Sequence, residues 1–349
     1  MEDIVKRDIR ALSKEEITEF FVGNGDKAFR GKQVYEWLWS KGVHDFNLMT
    51  NLSKDTRALL DKYFVINHIK VDDMQRSSDG TIKNAIKLFD DKVVESVLIP
   101  TERRTTACVS SQVGCSVNCQ FCATARIKRM RNLNAGEIYD QVVAAHDQSN
   151  SFYGHPLSNI VFMGMGEPML NYDEVMKSIE MITSDEGLQM SPRRITVSTS
   201  GFPNEIKRMA DEGARFGLAL SLHSAIDEKR TKMMPINKKY SLDTLKEALI
   251  YWYEKTKSRV TYEYVIWKDF NDTQEDIDAL IKFARIIPCK INIIEYNEIE
   301  EDGFKQADPA VTEAYREQLE NAGMIVNVRR SRGKDIDAAC GQLANKRWE

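Results

Sequence analysis

Proline occurs at only 8 of the 349 positions and glycine at 18, which excludes the compositions of collagen-like and low-complexity chains. No apolar run approaches the length of a membrane span. The opening Met-Glu-Asp-Ile-Val-Lys-Arg-Asp is charged, without the apolar stretch of a signal peptide, so a cytoplasmic protein with no membrane partner is expected. Charge of one sign is nearly balanced: 49 Lys plus Arg against 53 Asp plus Glu leave −4, which excludes a globally basic nucleic-acid binder. Any RNA contact must come from a local basic face. Cysteine is sparse, with six residues at 108, 115, 119, 122, 289 and 340. In a reducing compartment these suit metal ligands, nucleophiles or core thiols better than a disulfide framework. No internal repeat or low-complexity tract is present, and 42% hydrophobic with 29% charged residues describes a packed globular chain.

Residues 1–65 read as short helices. Ser13 can cap a helix over 14–21 with Glu16 in the capping-box position. Over 30–39 the periodicity puts Val34, Trp37 and Leu38 on one face, with Trp37 a core residue, and Asn51-Leu52-Ser53 opens a third helix. Over 66–104, β-rich runs at 69–74, 82–89 and 93–99, broken by Ser-Asp-Gly and Asp-Asp turns, predict a small antiparallel sheet. From 105 to 349 strands are expected at 105–110, 158–163, 193–199, 215–222, 259–266, 289–295 and 324–329. Between them lie helical stretches such as 135–148, 172–183 and 242–255. This α/β alternation implies a parallel sheet, open or closed into a barrel, with ligand chemistry at the C-terminal ends of its strands.

The most informative segment is Cys115-Ser-Val-Asn-Cys119-Gln-Phe-Cys122. Three thiolates spaced in this way on one loop can hold three corners of a [4Fe-4S] cubane and leave the fourth iron open. A structural zinc site is the competing reading, with Cys108 as fourth ligand, but such sites usually come as two CxxC pairs and only one is present. The loop follows the first strand of the βα series, on the face where a barrel holds ligands. The motif resembles the radical S-adenosylmethionine (SAM) superfamily, including the aromatic Phe121 before the third cysteine. That resemblance implies a [4Fe-4S] cluster on Cys115, Cys119 and Cys122, with SAM chelating the open iron, in a partial (βα)6-type barrel. One βα unit later, Gly164-Met-Gly166-Glu167-Pro168 matches the element that meets the SAM ammonium. Ser198, Ser221, Leu222, His223 and Asn297 stand at further strand ends and are implied SAM contacts. Taken singly, a strand-end serine is more often a cap and a lone histidine more often a rim residue.

Near the C terminus, Arg332-Gly-Lys-Asp-Ile-Asp-Ala-Ala-Cys340-Gly sets a cysteine in a turn-like polar loop, and Cys108 stands shortly before the cluster motif. A buried inert thiol would be the plain reading of Cys340. The two cysteines together resemble the RlmN/Cfr family of bacterial adenosine methyltransferases, and the similarity extends over essentially the whole chain. The resemblance implies that Cys340 accepts a methyl group from one SAM and that a radical from a second SAM activates that methyl to attack an adenine carbon. Cys108 then resolves the protein–RNA adduct as a Cys108–Cys340 disulfide, and Glu95 accepts the ring proton. By sequence alone Glu95 is a solvated strand carboxylate. The implied partners are 23S rRNA, tRNA and an external electron donor of flavodoxin or ferredoxin type, acting on a monomer with a helical RNA-binding N-terminal domain. Pro168 matches the C2-methylating branch better than the C8-methylating one.

The basic flanks Lys128-Arg129-Met-Arg131 and Arg329-Arg330-Ser-Arg332-Gly-Lys334 could hold phosphates near the reactive loops. In the N-terminal part Phe29, Arg30, Lys32, Tyr35, Trp37 and Trp39 mix aromatic and basic types. Cys289, in Pro-Cys-Lys-Ile-Asn, reads as a buried core thiol.

Overall fold

The computed structural model describes residues 5–299 and 303–345; residues 1–4, part of the charged opening, and 346–349 lie outside it. Helices α1 (Lys14–Gly23), α2 (Phe29–Trp39) and α3 (Lys54–Tyr63) form the N-terminal part. Ser13 and Glu16 close the capping box expected of them, and Ser53 caps α3 through the Thr56 backbone N–H. The tryptophan in this core is Trp39, 1% exposed, rather than Trp37. Trp37 stays half-buried, with the Lys41 ammonium 3.7 Å from its ring centroid. The helices share one apolar core with the rest of the chain. Arg10 reaches Asp140 at 2.6 Å and the Tyr139 hydroxyl donates to the Trp39 carbonyl at 2.5 Å, which fixes them to the long helix α4 (Ala135–Tyr153).

Ten strands form one sheet in strict chain order. The first three, β1 (Lys70–Arg76), β2 (Ile82–Lys87) and β3 (Val93–Thr101), are antiparallel; β3 also pairs antiparallel with β4 (Arg104–Cys108). From β4 onward the pairing is parallel through β5 (Asn159–Phe162), β6 (Ile195–Thr199), β7 (Gly217–Ser221), β8 (Val260–Val265), β9 (Cys289–Ile294) and β10 (Ile325–Arg329). The antiparallel strands thus prolong the barrel sheet rather than forming a second one. Among the described residues the end strands β1 and β10 do not pair with each other, so the barrel stays open. Intervening helices include α5 (Tyr172–Thr183), α6 (Pro203–Asp211), α7 (Asp227–Met233), α8 (Leu242–Thr256), α9 (Gln274–Ala284) and α10 (Pro309–Asn321). Such βα units bury both faces of a parallel sheet, which is why apolar residues such as Ile160, Val197, Leu218, Leu220, Tyr262 and Ile291 are fully buried in its middle strands. No described helix is long and apolar enough to cross a membrane. Cys289 opens β9 and is half-buried rather than buried, its thiol donating to the Ala284 carbonyl at 3.4 Å.

Candidate active site

The cysteine loop leaves the C-terminal end of β4 through Gly114, whose φ of +74° and close approach to the next segment require glycine: an added Cβ would sit 2.6 Å from the Lys128 carbonyl oxygen. Backbone bonds from Cys115 N–H to Ile127 O (3.4 Å), Gln120 N–H to Met233 O (2.9 Å) and Cys122 N–H to Cys119 O (3.2 Å) hold the loop over the barrel mouth. All three thiols are raised by burial, Cys115 to about 12. A donor thiolate in this setting needs the positive charge of a metal to stay ionised. Cys115, Cys119 and Cys122 line one cavity. Three thiols on one loop suit a cluster that keeps one iron open better than a structural zinc, which takes four protein ligands. Cys108, the fourth ligand of the zinc reading, lines a neighbouring cavity instead.

The same cavity collects Gly166, Glu167, Ser198, Ser221, His223, Asn297 and Cys340 from separate strand ends. Leu222 is the exception, since it is fully buried in the core and does not line the cavity. Gly166 has φ +98°, and a Cβ there would lie 2.5 Å from that of Gln112, so only glycine lets the chain pass. Glu167 is 4% exposed, and its carboxylate accepts from the Ser200 N–H (2.8 Å), the Ser200 hydroxyl (2.7 Å) and the Met169 N–H (3.1 Å). Burial raises its pKa, so a cation arriving from the cavity would be strongly favoured beside it. His223, at φ +57°, accepts the Val265 N–H on Nδ1 at 3.2 Å, and burial with Arg230 nearby lowers its pKa to about 3. It is a neutral ring stacked edgewise on Phe121 at 4.7 Å. Asn297 donates to the Cys340 carbonyl at 3.3 Å, while its Oδ1 and the Tyr296 hydroxyl are buried without a partner among the described residues. Two orphaned polar atoms on one cavity wall are what a missing polar ligand leaves behind. Thiols, buried carboxylate and orphaned acceptor together fit a cluster with SAM bound to it.

A second cavity adjoins the first and is lined by Cys108, Arg104, Arg329, Arg330 and Arg332. Cys340 belongs to the walls of both, together with Cys122, Met163 and Gly341. Cys340 is open at the surface, but the walls around its sulfur raise its pKa, with Arg329 opposing the shift. Burial pushes the Cys108 thiol up to about 12, so it rests protonated at neutral pH. Cys340 is placed by the strap that follows it: the Ala123 N–H donates to the Gly341 carbonyl (2.7 Å) and the Thr124 hydroxyl to the Leu343 carbonyl (2.6 Å).

Glu95 is not solvated. It is 2% exposed, 3.4 Å from the Lys83 ammonium, and accepts the Ala344 N–H at 2.9 Å and the Asn345 N–H at 3.2 Å. Val97 pairs with Cys108, so Glu95, two residues along β3, shares the sheet face of Cys108, although it lines neither cavity.

Two functional positions carried no signal in the sequence. Glu263 is buried in the first cavity and holds Arg329 at 3.3 Å and Asn292 at 2.8 Å; burial raises its pKa. Arg230 is fully buried and donates to the carbonyls of Ser200 (2.6 Å), Ser221 (3.2 Å) and Leu222 (3.2 Å) and to Asn237 (2.7 Å), pinning the ends of β6 and β7. Burial lowers its pKa to about 10, which still leaves it charged at neutral pH. Arg230→Met removes the guanidinium donors that these buried carbonyls and Asn237 share, so we expect a loss of about 3 kcal/mol or more. Thermal unfolding should show a melting point lower by several degrees; an unchanged Tm would show that these bonds do not hold the strand ends.

Residues 7–66 match the model of the ribosomal RNA large subunit methyltransferase N-terminal domain, and residues 109–284 match that of the radical SAM superfamily. The chain is 65% identical over 346 residues to a probable dual-specificity RNA methyltransferase RlmN of Flavobacterium johnsoniae, covering 99% of both chains. It is 42% identical to the protein of the same description from Salinibacter ruber, covering 97% of this chain and 94% of the other. Among solved structures, a radical SAM methyltransferase from Sphaerobacter thermophilus superposes with a TM-score of 0.90 at 36% identity, over 97% of this chain and 99% of that one.

Proposed function

The chain belongs to the RlmN family of radical SAM RNA methyltransferases, and from that membership we propose that it methylates C2 of an adenosine in 23S rRNA and in tRNA, with Cys340 as methyl carrier. The observation that carries this reading is the place of Cys340 on the wall shared by two cavities. From there one sulfur can face SAM in the first cavity and an RNA base in the second.

Held by Cys115, Cys119 and Cys122, a [4Fe-4S] cluster would supply the electron that splits SAM into methionine and a 5′-deoxyadenosyl radical. Glu167 would take the SAM ammonium, Gly166 would let the ligand approach the backbone, and Asn297 would offer its unpartnered Oδ1. Ser198, Ser221 and His223 complete the wall. Cys340 takes a methyl group by displacement from one SAM and loses a hydrogen atom from it to the radical of a second. Its methylene then bonds to the adenine carbon. The adduct's odd electron would return to the oxidised cluster as Glu95 takes the ring proton; Cys108, giving up its own proton, then attacks the Cys340 sulfur, the carbon–sulfur bond breaks, and the released carbon takes up a proton to become the methyl group. Radical chemistry is required because the adenine C2 is an electron-poor sp2 carbon that does not attack a sulfonium. The arginines of the second cavity suit the phosphates flanking the flipped base. An external thiol then reduces the disulfide.

SAM bearing a CD3 group tests this directly. RNA methylated by the anaerobically reconstituted enzyme should contain 2-methyladenosine with two deuteriums in the new methyl, and the third should appear in 5′-deoxyadenosine. A CD3 product would mean direct transfer and overturn the mechanism, while methyl on C8 would overturn the choice of carbon. Nucleoside mass spectrometry reads both.

A further inference from the structure

The basic stretch over 126–130 serves neither cavity. Arg126, Lys128, Arg129 and Met130 are exposed, and none of them lines either space, in contrast to the arginines around Cys108. Neither Lys128 nor Arg129 has an acidic partner among the described residues, while the adjacent Arg131 is matched by Asp90 and Glu137, each at 2.8 Å. Positive charge is thus left uncompensated where no substrate cavity opens. It is accompanied by apolar surface: Met130 is 59% exposed and Phe89 is 50% exposed, with the Arg131 guanidinium 4.8 Å from the Phe89 ring centroid.

This stretch is bonded to the cluster loop itself. The Cys115 N–H donates to the Ile127 carbonyl at 3.4 Å and the Met130 N–H to the Val113 carbonyl at 2.9 Å. A peptide group of the basic surface is therefore one hydrogen bond away from a cluster ligand. On the loop, Ser116, Asn118 and Gln120 are all exposed, so the ligands lie just beneath the surface here. Electron tunnelling falls steeply with distance, and a donor seated on this surface would meet the cluster by a short path.

Resting on the radical SAM reading above, we propose that this surface docks the protein electron donor, a small acidic one-electron carrier of flavodoxin or ferredoxin type. The donor loses one electron and the cluster gains it; no bond or proton changes hands at the interface. RNA phosphates would also be drawn to Lys128 and Arg129. Proximity to Cys115, absence from the lining of either cavity and the exposed Met130 and Phe89 favour a protein partner, since protein interfaces set apolar and Met side chains within a charged rim.

The test compares two reductants on the reconstituted holoenzyme carrying Lys128→Glu with Arg129→Glu, and separately Met130→Ser. With dithionite, cluster bleaching and 5′-deoxyadenosine formation should match the wild type. With reduced flavodoxin the bleaching rate should fall about 10-fold or more, titration with oxidised flavodoxin should show a comparable loss of affinity, and the steep salt dependence of the wild-type rate should flatten. Unchanged flavodoxin rates overturn the proposal. Equal losses with both reductants, accompanied by weaker RNA binding, would assign the surface to RNA and overturn it as well. Were the wild type to cleave no SAM even with dithionite, the radical SAM reading itself would fail, and this proposal with it.

Discussion

Replacing Cys108 by alanine is expected to stop the reaction after the carbon–carbon bond has formed, leaving enzyme and RNA joined by a thioether. In the resting structure Cys108 is buried and protonated, on the second cavity that it shares with Cys340. Alanine keeps the backbone of β4 and removes the nucleophile. Methyl loading on Cys340 and SAM cleavage should continue, while turnover should fall from many products per enzyme to about one or fewer, as for other enzymes that lose a resolving nucleophile. A denaturing gel should show a shifted, nuclease-sensitive band for Cys108→Ala. Cys289→Ala is the control: this thiol lies at the start of β9, bonds to the Ala284 carbonyl and lines neither cavity. It should turn over normally without an adduct. Normal turnover by Cys108→Ala, or an adduct with Cys289→Ala, would show that the resolving role belongs elsewhere.

Cys340→Ser should have an equally large effect at an earlier step. The hydroxyl fits the space of the thiol, and the strap contacts to Ala123, Thr124 and Glu95 are all made by the backbone, so the fold should be unaffected. A serine oxygen is a far weaker nucleophile toward a sulfonium than a thiolate, and no methyl carrier would form. Cluster absorbance should persist and RNA methylation should fall below detection. Peptide mapping of the wild type should place an added methyl on Cys340. Methylation by the serine variant, or a methyl mapped to another residue, would remove Cys340 from the role of carrier.

What the sequence by itself determined was local. The spacing of Cys115, Cys119 and Cys122 on one short loop, the Gly-x-Gly-Glu-Pro turn around Gly166, and the capping box of Ser13 with Glu16 each depend on residues within a few positions of one another. The βα alternation likewise follows from short-range hydrophobic periods, and the strands stand close to where those periods put them. Tertiary structure alone decided what is distant in the chain. Bonds from the cysteine loop after β4 to the strap after β10 join segments distant in the chain, and Cys108 and Cys340 come to line one cavity. The same strap buries Glu95 under the backbone N–H groups of Ala344 and Asn345, where a strand carboxylate read by itself suggested solvent. Arg230 and Glu263 were silent for a physical reason. A charged residue in a helix or a strand looks like surface until its partners, the carbonyls of Ser200 and Leu222 for one and Arg329 for the other, arrive from other elements.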